Sequence, residues 1–290
     1  MIAKSELLAS IKKLPTFSTT VIRLSSVLND PDASVGEFEA IILPDVALTA
    51  NLLRIANSAF FALPRRIGSV REAITLLGIN RVYELGAMAA VEAVVPARLP
   101  GYGIDAAAYW CHSVAVGVLS ERLTRDKKLA TPALTFTAGL MHDIGKLVIS
   151  EYLAKVQAAL QDEMIGRNKS LIESEREVLG VDHGEIGADI ARAWNLPEEV
   201  ALVAGAHHDP DGVNGGKGDI MVDLVHIADC LAHSLGFGTD IGELHRTLRV
   251  AAMERLELKA ADLERVASRC IAEIEGLAQF NRAPAQGGPA

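Results

Sequence analysis

Five of the eight histidines in this sequence and two of its aspartates form a series that could bind metal ions. Imidazole nitrogens and carboxylate oxygens are the usual protein ligands of Zn, Fe, Mn and similar divalent ions. The series consists of His112, the adjacent pair His142-Asp143, His183, the adjacent pair His207-His208, and Asp229. If these side chains point into the fold, the sequence predicts a buried metal site.

Four members of the series lie on apolar helical faces. Each of the four lies three or four residues, or a multiple of a helical turn, from Ala, Val, Ile or Leu residues, so each is expected to face the core; they are His112, His183, His207 and Asp229. A buried aspartate is costly unless it is paired or bound to a cation. A single buried histidine usually forms a hydrogen bond to a backbone carbonyl. Shared metal ligation would instead explain the burial of all seven residues together.

The adjacent pair His142-Asp143 can reach two ions, or bridge them, only near a helix end or bend, because successive helical residues diverge by about 100°. Gly139 and Gly145 would permit that approach. Lys146, one turn after His142, is either a cation that holds a phosphate oxygen or a solvated surface lysine.

Three histidines lie outside the series. His226 and His233 flank Asp229 at three residues before and four after, so they either hydrogen-bond it behind the metal ligands or lie exposed on the same helix. His245 falls in an amphipathic stretch rich in Glu and Arg and is expected at the surface.

The elements that must position these residues are predicted to be helices. Apolar residues repeat at spacings of three and four, as in Leu48, Leu52 and Ile55, and no stretch shows sustained alternation. The sequence therefore predicts an all-α fold. It divides into a helical half (1–95), a short packed connection with two prolines and two glycines (96–105), a second helical half (106–280) and a polar, disordered tail (281–290).

In the second half, Asp105 is expected to cap the helix that carries His112. The further helices are expected at Ala133–Ser150, Glu151–Glu163, Ser170–Val178, His183–Trp194, Pro197–His208, Ile220–Leu235, Gly242–Leu256 and Ala260–Gln279. A glycine-rich loop, His208–Gly218, begins at the second histidine of its pair.

Composition narrows the class of protein. Half of the residues are hydrophobic but only 4% are aromatic, which suits close-packed helices. The net charge of −9 argues against binding to a DNA backbone. Cys111, Cys230 and Cys270 are far apart and indicate reduced thiols. With neither a signal peptide nor an apolar run of about 20 residues, the chain is expected to be soluble and cytoplasmic, without membrane contact.

The run GLMHDIGKL (Gly139–Leu147) resembles the signature of the HD superfamily of metal-dependent phosphohydrolases. The other ligands follow in the order of its HD-GYP branch, which hydrolyses cyclic di-GMP. LPTFSTTVIRL (Leu14–Leu24), DVALTANLLRIANSAFF (Asp45–Phe61) and IGSVREAITLLGINRV (Ile67–Val82) resemble the HDOD domain, an HD-related output domain, and the likeness extends to about His233. The resemblance implies a multi-helix HDOD fold in which the N-terminal half packs on an HD-like half.

The chain departs from both branches. Many HDOD domains have lost the metal ligands, whereas this sequence keeps the full series. The Tyr-Pro loop of the HD-GYP branch is missing after His207-His208, and Ala108 stands where some of its members carry a glutamate ligand. A third ion and cyclic di-GMP hydrolysis are therefore not expected.

Three hypotheses for function follow. The first is a bacterial signal-transduction module that retains one or two divalent ions (Fe, Mn, Zn or Ni) and acts through partner signalling proteins. The second is a phosphohydrolase or phosphodiesterase acting on a nucleotide or cyclic dinucleotide, in which Asp143 bridges the ions, the other six residues complete their shells and Lys146 neutralises phosphate charge. The third is a metal-free helical adaptor.

Arg54, Asn57 and Ser58 either cap the turn that follows them or line a groove between the halves.

Overall fold

The computed structural model describes residues 4–28, 33–58, 61, 63, 65–129, 131–238 and 246–279. Its α-helices are α1 Lys4–Ile11, α2 Thr19–Leu28, α3 Val35–Ile42, α4 Val46–Ala56, α5 Val70–Leu77, α6 Ile79–Glu92, α7 Ala106–Asp126, α8 Pro132–Met141, α9 Lys146–Lys155, α10 Gln157–Gln161, α11 Leu171–Leu179, α12 His183–Ala193, α13 Glu198–Ala206, α14 Ile220–Ser234, α15 Val250–Arg255 and α16 Ala260–Ala278. The predicted all-α fold is confirmed. Within the described ranges, no helix is long and apolar enough to cross a bilayer.

Short polar side chains start many of these helices. At seven N-termini the capping side chain accepts a hydrogen bond from a backbone N–H of the first turn. Each such cap contributes about 1 kcal/mol. The seven caps are Ser34, Asp45, Ser69, Asp105, Ser170, Asp182 and Asp219. The expected Asp105 cap is among them, and it fixes the start of the helix that carries His112.

The single helix predicted over Ala133–Ser150 is wrong. Helix α8 ends at Met141 and α9 begins at Lys146. Between them the backbone N–H groups bond to the carbonyl three residues earlier, as in a 3₁₀ turn; for example, Lys146 N–H donates to Asp143 O at 2.9 Å. The break is tertiary in origin: a Cβ on Gly145 would lie 1.8 Å from the carbonyl oxygen of His183, so this turn is pressed against the start of α12.

Other boundaries also differ from the prediction. The helix expected over Glu151–Glu163 is divided between the end of α9, the short α10 and a π-helical turn, Asp162–Gly166. The helix expected over Gly242–Leu256 begins only at Val250, because residues 246–249 are non-helical. Residues 242–245 lie outside the described residues, as do His245 and the tail 281–290.

The connection between the halves is a small hairpin, although no strand was predicted. Strand β1 (Arg98–Leu99) pairs antiparallel with β2 (Ile104–Asp105), with Leu99 opposite Ile104. Two residues per strand are too few to produce an alternating pattern, so the sequence could not show it.

One continuous core runs through both halves. Helices α2, α4 and α5 pack on α6, α6 packs on α8, and α7 lies between α8, α14 and α16. Phe17 stacks on Trp194 with ring centroids 5.4 Å apart, and the Thr137 hydroxyl donates to the Tyr83 oxygen at 3.1 Å. These contacts tie the N-terminal helices to the helices that carry the predicted ligands.

Of the three polar residues at the end of α4, Asn57 serves the local turn. Asn57 donates to the carbonyls of Leu53 and Ile67 and accepts from the Ile67 N–H, while Arg54 forms an ion pair with Glu92 at the surface. Pro64 lies outside the described residues. The capping alternative is therefore the one that the structure supports for Asn57.

Candidate metal centre

The structure brings all seven predicted ligand residues into one cluster. His112 lies in the middle of α7 and Asp229 in the middle of α14. His142 and Asp143 occupy the turn after α8, and His183 is the first residue of α12. His207 and His208 follow the last residue of α13. All of these side chains are buried except that of His208, which is half-buried.

One part of the cluster surrounds the Oδ1 atom of Asp143. The Nε2 atoms of His183 and His207 lie 3.2 and 3.7 Å from it. The Nε2 atom of His208 lies 3.0 Å from that of His183. These four residues, here called the His183 group, place their ligand atoms within 4.8 Å of one another.

The other part surrounds the Oδ2 atom of Asp143. The Nε2 atoms of His142 and His112 lie 3.4 and 3.8 Å from it, and 3.3 Å from each other. Asp229 Oδ1 lies 3.2 Å from His112 Nε2. These four residues are here called the His112 group. Asp143 thus divides its two carboxylate oxygens between the groups, which is the arrangement required of a bridging ligand.

Four imidazoles present the same nitrogen to the cluster. The Nδ1 atom donates to Phe237 O in His112, to Gly139 O in His142 and to Ala204 O in His207, at 3.2, 2.7 and 3.0 Å. In His183 it donates to the carboxylate of Glu175 at 2.8 Å. Because Nδ1 donates to the protein in each ring, Nε2 is the atom that faces the cluster and would bind a cation, a pattern typical of metal-ligating histidines.

Buried polar atoms without hydrogen bonds converge on the same space. Among the described residues, Asp143 Oδ1, Asp229 Oδ1 and His207 Nε2 are inaccessible to solvent and have no hydrogen-bond partner. Such atoms are costly in a folded protein. A divalent cation would satisfy all three, and their nitrogen and carboxylate chemistry fits Fe, Mn, Zn or Ni. The residues present therefore fit a metal ion.

Lys146 is part of the cluster, and the surface-lysine alternative is wrong. Its side chain is 1% exposed, and its Nζ lies 2.7 Å from Asp143 Oδ2 and 5.3 Å from the centre of the Tyr102 ring. A buried ammonium group requires a counter-charge. Lys146 therefore neutralises one oxygen of Asp143 and orients the carboxylate.

The ionisation of the cluster follows from burial and from its charges. Burial favours the neutral form of His142 and lowers its pKa to about 4. Burial also opposes the charge of His183, but the carboxylates of Glu175 and Asp143 outweigh it and raise the pKa of His183 to about 10. Burial would raise the pKa of Asp143, yet Lys146, His142 and His183 hold it well below its usual range. Before it binds metal, the cluster is therefore an ionic network in which the carboxylate of Asp143 faces the Lys146 ammonium and a protonated His183.

A family profile of the HDOD domain matches residues 14–210, roughly two thirds of the sequence. The chain belongs to the HDOD domain family. The predicted resemblance is confirmed, although the match ends at residue 210 rather than near His233. This HDOD chain retains the His/Asp series as a spatial cluster.

Two solved structures share the fold. An HDOD domain protein from Geobacter sulfurreducens matches with a TM-score of 0.74 and 22% identity, over 96% of this chain and 99% of that one. A protein from Shewanella amazonensis SB2B, provisionally named a phosphohydrolase, matches with a TM-score of 0.72 and 22% identity, over 95% and 97%. At this identity, both matches establish the fold alone.

Two curated relatives are longer than this chain. An uncharacterized protein of Treponema pallidum (strain Nichols) is 28% identical over 203 residues, 69% of this chain and 38% of its own length. Ribonuclease Y of Thermus thermophilus is 30% identical over 219 residues, 69% of this chain and 31% of its own length. The HDOD chain thus spans about a third of the relatives that it matches.

A cavity of about 430 Å³ opens beside the cluster of this HDOD domain. His208 and Asp229 belong to both the cluster and the cavity wall, and Arg176, Arg246 and Arg249 also line it. Ligand-binding cavities are typically about 300–1,000 Å³. A small molecule in this space would therefore lie directly against the cluster.

Two residues of the site were not predicted from the sequence. Glu175, fully buried, accepts from the backbone N–H and Nδ1 of His183, and its position four residues from both Leu171 and Leu179 could have revealed it as core-facing. Arg246 forms an ion pair with Asp229 from a non-helical segment. No periodicity in that segment could have indicated the contact.

The histidines outside the series have separate roles. His226 is buried, but it does not bond to Asp229: its Nδ1 donates to His207 O at 2.7 Å, and its Nε2 accepts the Arg249 N–H at 3.0 Å. It therefore holds the turn that carries His207. The Nε2 of His233 lies 3.7 Å from Asp229 Oδ1, and a ligand atom of His233 lies within 4.8 Å of those of His112 and Asp229, so His233 is a further candidate ligand beside the His112 group.

Proposed function

We propose that this HDOD domain is a metal-dependent phosphoesterase that acts on a phosphate ester held in the cavity beside its His/Asp cluster. One observation carries the proposal: the Oδ1 atoms of Asp143 and Asp229, which lack hydrogen bonds, lie with the histidine Nε2 atoms in one buried cluster, and two members of that cluster, His208 and Asp229, line a cavity of about 430 Å³. A nucleotide or cyclic dinucleotide is the substrate class that we put forward. A relative named Ribonuclease Y is in keeping with phosphodiester chemistry.

In this proposal the metal ligands are His112, His142, Asp143, His183, His207, His208 and Asp229. The metal, when bound, would polarise the phosphoryl group and activate water for attack. Asp143 bridges the two groups through its two oxygens.

The remaining residues organise the ligands. Glu175 fixes the tautomer of His183 by accepting from its Nδ1. Lys146 holds the carboxylate of Asp143 in place. In this arrangement Lys146 acts on phosphate only through Asp143, because its Nζ is buried against that carboxylate. His208 and Asp229 are the two proposed ligands that line the cavity, so an incoming ester would meet these two first.

The test combines metal analysis with a substrate screen. Metal content per chain is measured by plasma mass spectrometry on protein purified without chelator. The metal-loaded protein is then assayed with generic phosphomonoesters and phosphodiesters, nucleotides and cyclic dinucleotides. We expect turnover that is lost in Asp143→Asn and retained in a matched control, Asp126→Asn. Asp126 lies on the surface, 14 residues beyond His112 on α7, about 20 Å away. No turnover by metal-loaded wild-type protein would refute an enzymatic role.

A second candidate function is signal transduction through partner proteins. Helices α3 to α5 expose several large apolar side chains, among them Leu43 at 51%, Val46 at 77% and Leu76 at 49%. Helices α3 and α4 both contact α5, and an apolar surface shared by neighbouring helices would favour the binding of a protein. Pull-downs from the native cell with wild type and Val46→Asp test this function. A specific partner that is lost in the variant would support it, and the recovery of no specific partner would contradict it.

A further inference from the structure

Both carboxylates of the cluster are already paired with a cation of the protein itself. Nζ of Lys146 lies 2.7 Å from Asp143 Oδ2. Nη1 of Arg246 is in direct contact with Asp229 Oδ2. The Arg246 side chain is only 7% exposed, so its guanidinium is built into the site rather than attached to its surface.

These cations divide unequally between the two groups. In the His112 group, the charges of Asp143 and Asp229 are balanced by Lys146 and Arg246. In the His183 group, the negative charge of Asp143 is joined by that of the Glu175 carboxylate, which contacts Nδ1 of His183. Lys146 counts in both groups because Asp143 is shared, so the His183 group keeps one net negative charge once a metal has displaced the proton from His183, whereas the His112 group has none.

Net charge decides affinity for a cation in a buried site, because solvent screens the interactions there only weakly. A divalent ion in the His183 group meets an excess of carboxylate charge and the unpaired Asp143 Oδ1 and His207 Nε2 atoms. A divalent ion in the His112 group meets the fixed positive charge of a guanidinium on the ligand Asp229.

We propose that Arg246 stands in place of a second metal ion, so that the cluster binds one divalent ion tightly, in the His183 group, and a second at least tenfold more weakly. This inference rests on the proposed metal-binding function and adds the number and position of the ions. Arg246 also lines the cavity, so its guanidinium places positive charge in the cavity wall.

The experiment measures metal binding rather than activity. The protein is stripped with chelator and dialysed to equilibrium against increasing Co²⁺. Co²⁺ per chain is determined by plasma mass spectrometry, with d–d absorption as a second readout. For wild type we expect one tight equivalent and a second at least tenfold weaker. Arg246→Met should tighten the second step at least tenfold. Arg246→Lys, which keeps the cation, should behave as wild type. Arg249→Met is the matched control, because Arg249 lines the same cavity three residues further on without contacting Asp229.

Two further variants locate the tight ion. His208→Ala should weaken it at least tenfold, whereas His112→Ala should leave it bound. The reverse pattern would overturn the inference, even if Arg246→Met failed to fold. Two equally tight ions in wild type would overturn it while leaving the metal-dependent function intact. No Co²⁺ binding at all would overturn both.

Discussion

Replacing Asp143 by Asn tests whether the cluster is an ionic network in the absence of metal. The substitution keeps the shape of the side chain but removes the carboxylate paired with Lys146 at 2.7 Å, and both side chains are 1% exposed. Removing one partner of a buried ion pair typically costs about 3–5 kcal/mol, because the other charge stays buried without its counter-ion. In a chain of this size we expect the melting temperature to fall by roughly 10 °C.

The assay is denaturant unfolding of the metal-free protein, with a double-mutant cycle that includes Lys146→Met. The double variant loses both charges together, so it should be more stable than the sum of the two single effects predicts, by about 2 kcal/mol. The same Asp143→Asn protein, purified without chelator, should carry less metal than wild type, since both groups lose a shared ligand.

Two results would refute this reasoning. A loss of less than about 1 kcal/mol in Asp143→Asn would mean that Lys146 is not held by that carboxylate at a buried site. Unchanged metal content in the same variant would show that Asp143 is not a ligand. Asp126→Asn is the control for the chemistry of the substitution, because its carboxylate is partly exposed and pairs with Arg122 at the surface.

Three further predictions follow from the contacts around the cluster and the core. Glu175→Gln should weaken metal affinity about 10–100-fold by chelator competition, because the partner of His183 Nδ1 loses its charge; unaltered affinity would exclude this role. Gly145→Ala should lower both the melting temperature and metal content, since its Cβ would lie 1.8 Å from His183 O, and a fully stable variant would contradict that packing. Burial raises the pKa of Glu84 from 4.5 to about 7, against the opposing effect of Arg81. The folded state therefore holds its proton more tightly, and stability should fall by roughly 3 kcal/mol as pH rises from 4.5 to 7. Glu84→Gln should flatten that profile in urea titrations, and an identical profile would refute the assignment.

Helix type and content were predictable from periodicity, but some boundaries were not. Helix α12 starts where Asp182 caps it, and Ile186 and Ile190 face the core as the spacing indicates. The apolar run from Ala133 to Ser150 continues through the break between α8 and α9, so local sequence favours one helix there. The break is imposed by the carbonyl of His183, which lies distant in sequence and occupies the space beside Gly145.

The candidate site was predictable to the level of its residues but not of its atoms. Polar residues on apolar helical faces identified His112, His183, His207 and Asp229, and the structure brings them together. The division of Asp143 between two groups depends on three-dimensional packing. So does the pairing of Asp229 with Arg246, which lies 17 residues away in a non-helical segment. Spacing in the sequence carries no information on such a contact.

The two adjacent pairs of the cluster lie at the ends of helices. His142-Asp143 follows the end of α8, and His207-His208 follows the end of α13. His142 and His207 keep right-handed helical dihedral angles, so the side chains of each pair still diverge, and each pair supplies two ligand atoms to the cluster. A helix end also leaves the carbonyls of its last turn without intrahelical donors. Those carbonyls are the ones that accept from Nδ1 of His142 and His207. The same termination therefore fixes the tautomer in which each Nε2 lone pair faces the cluster.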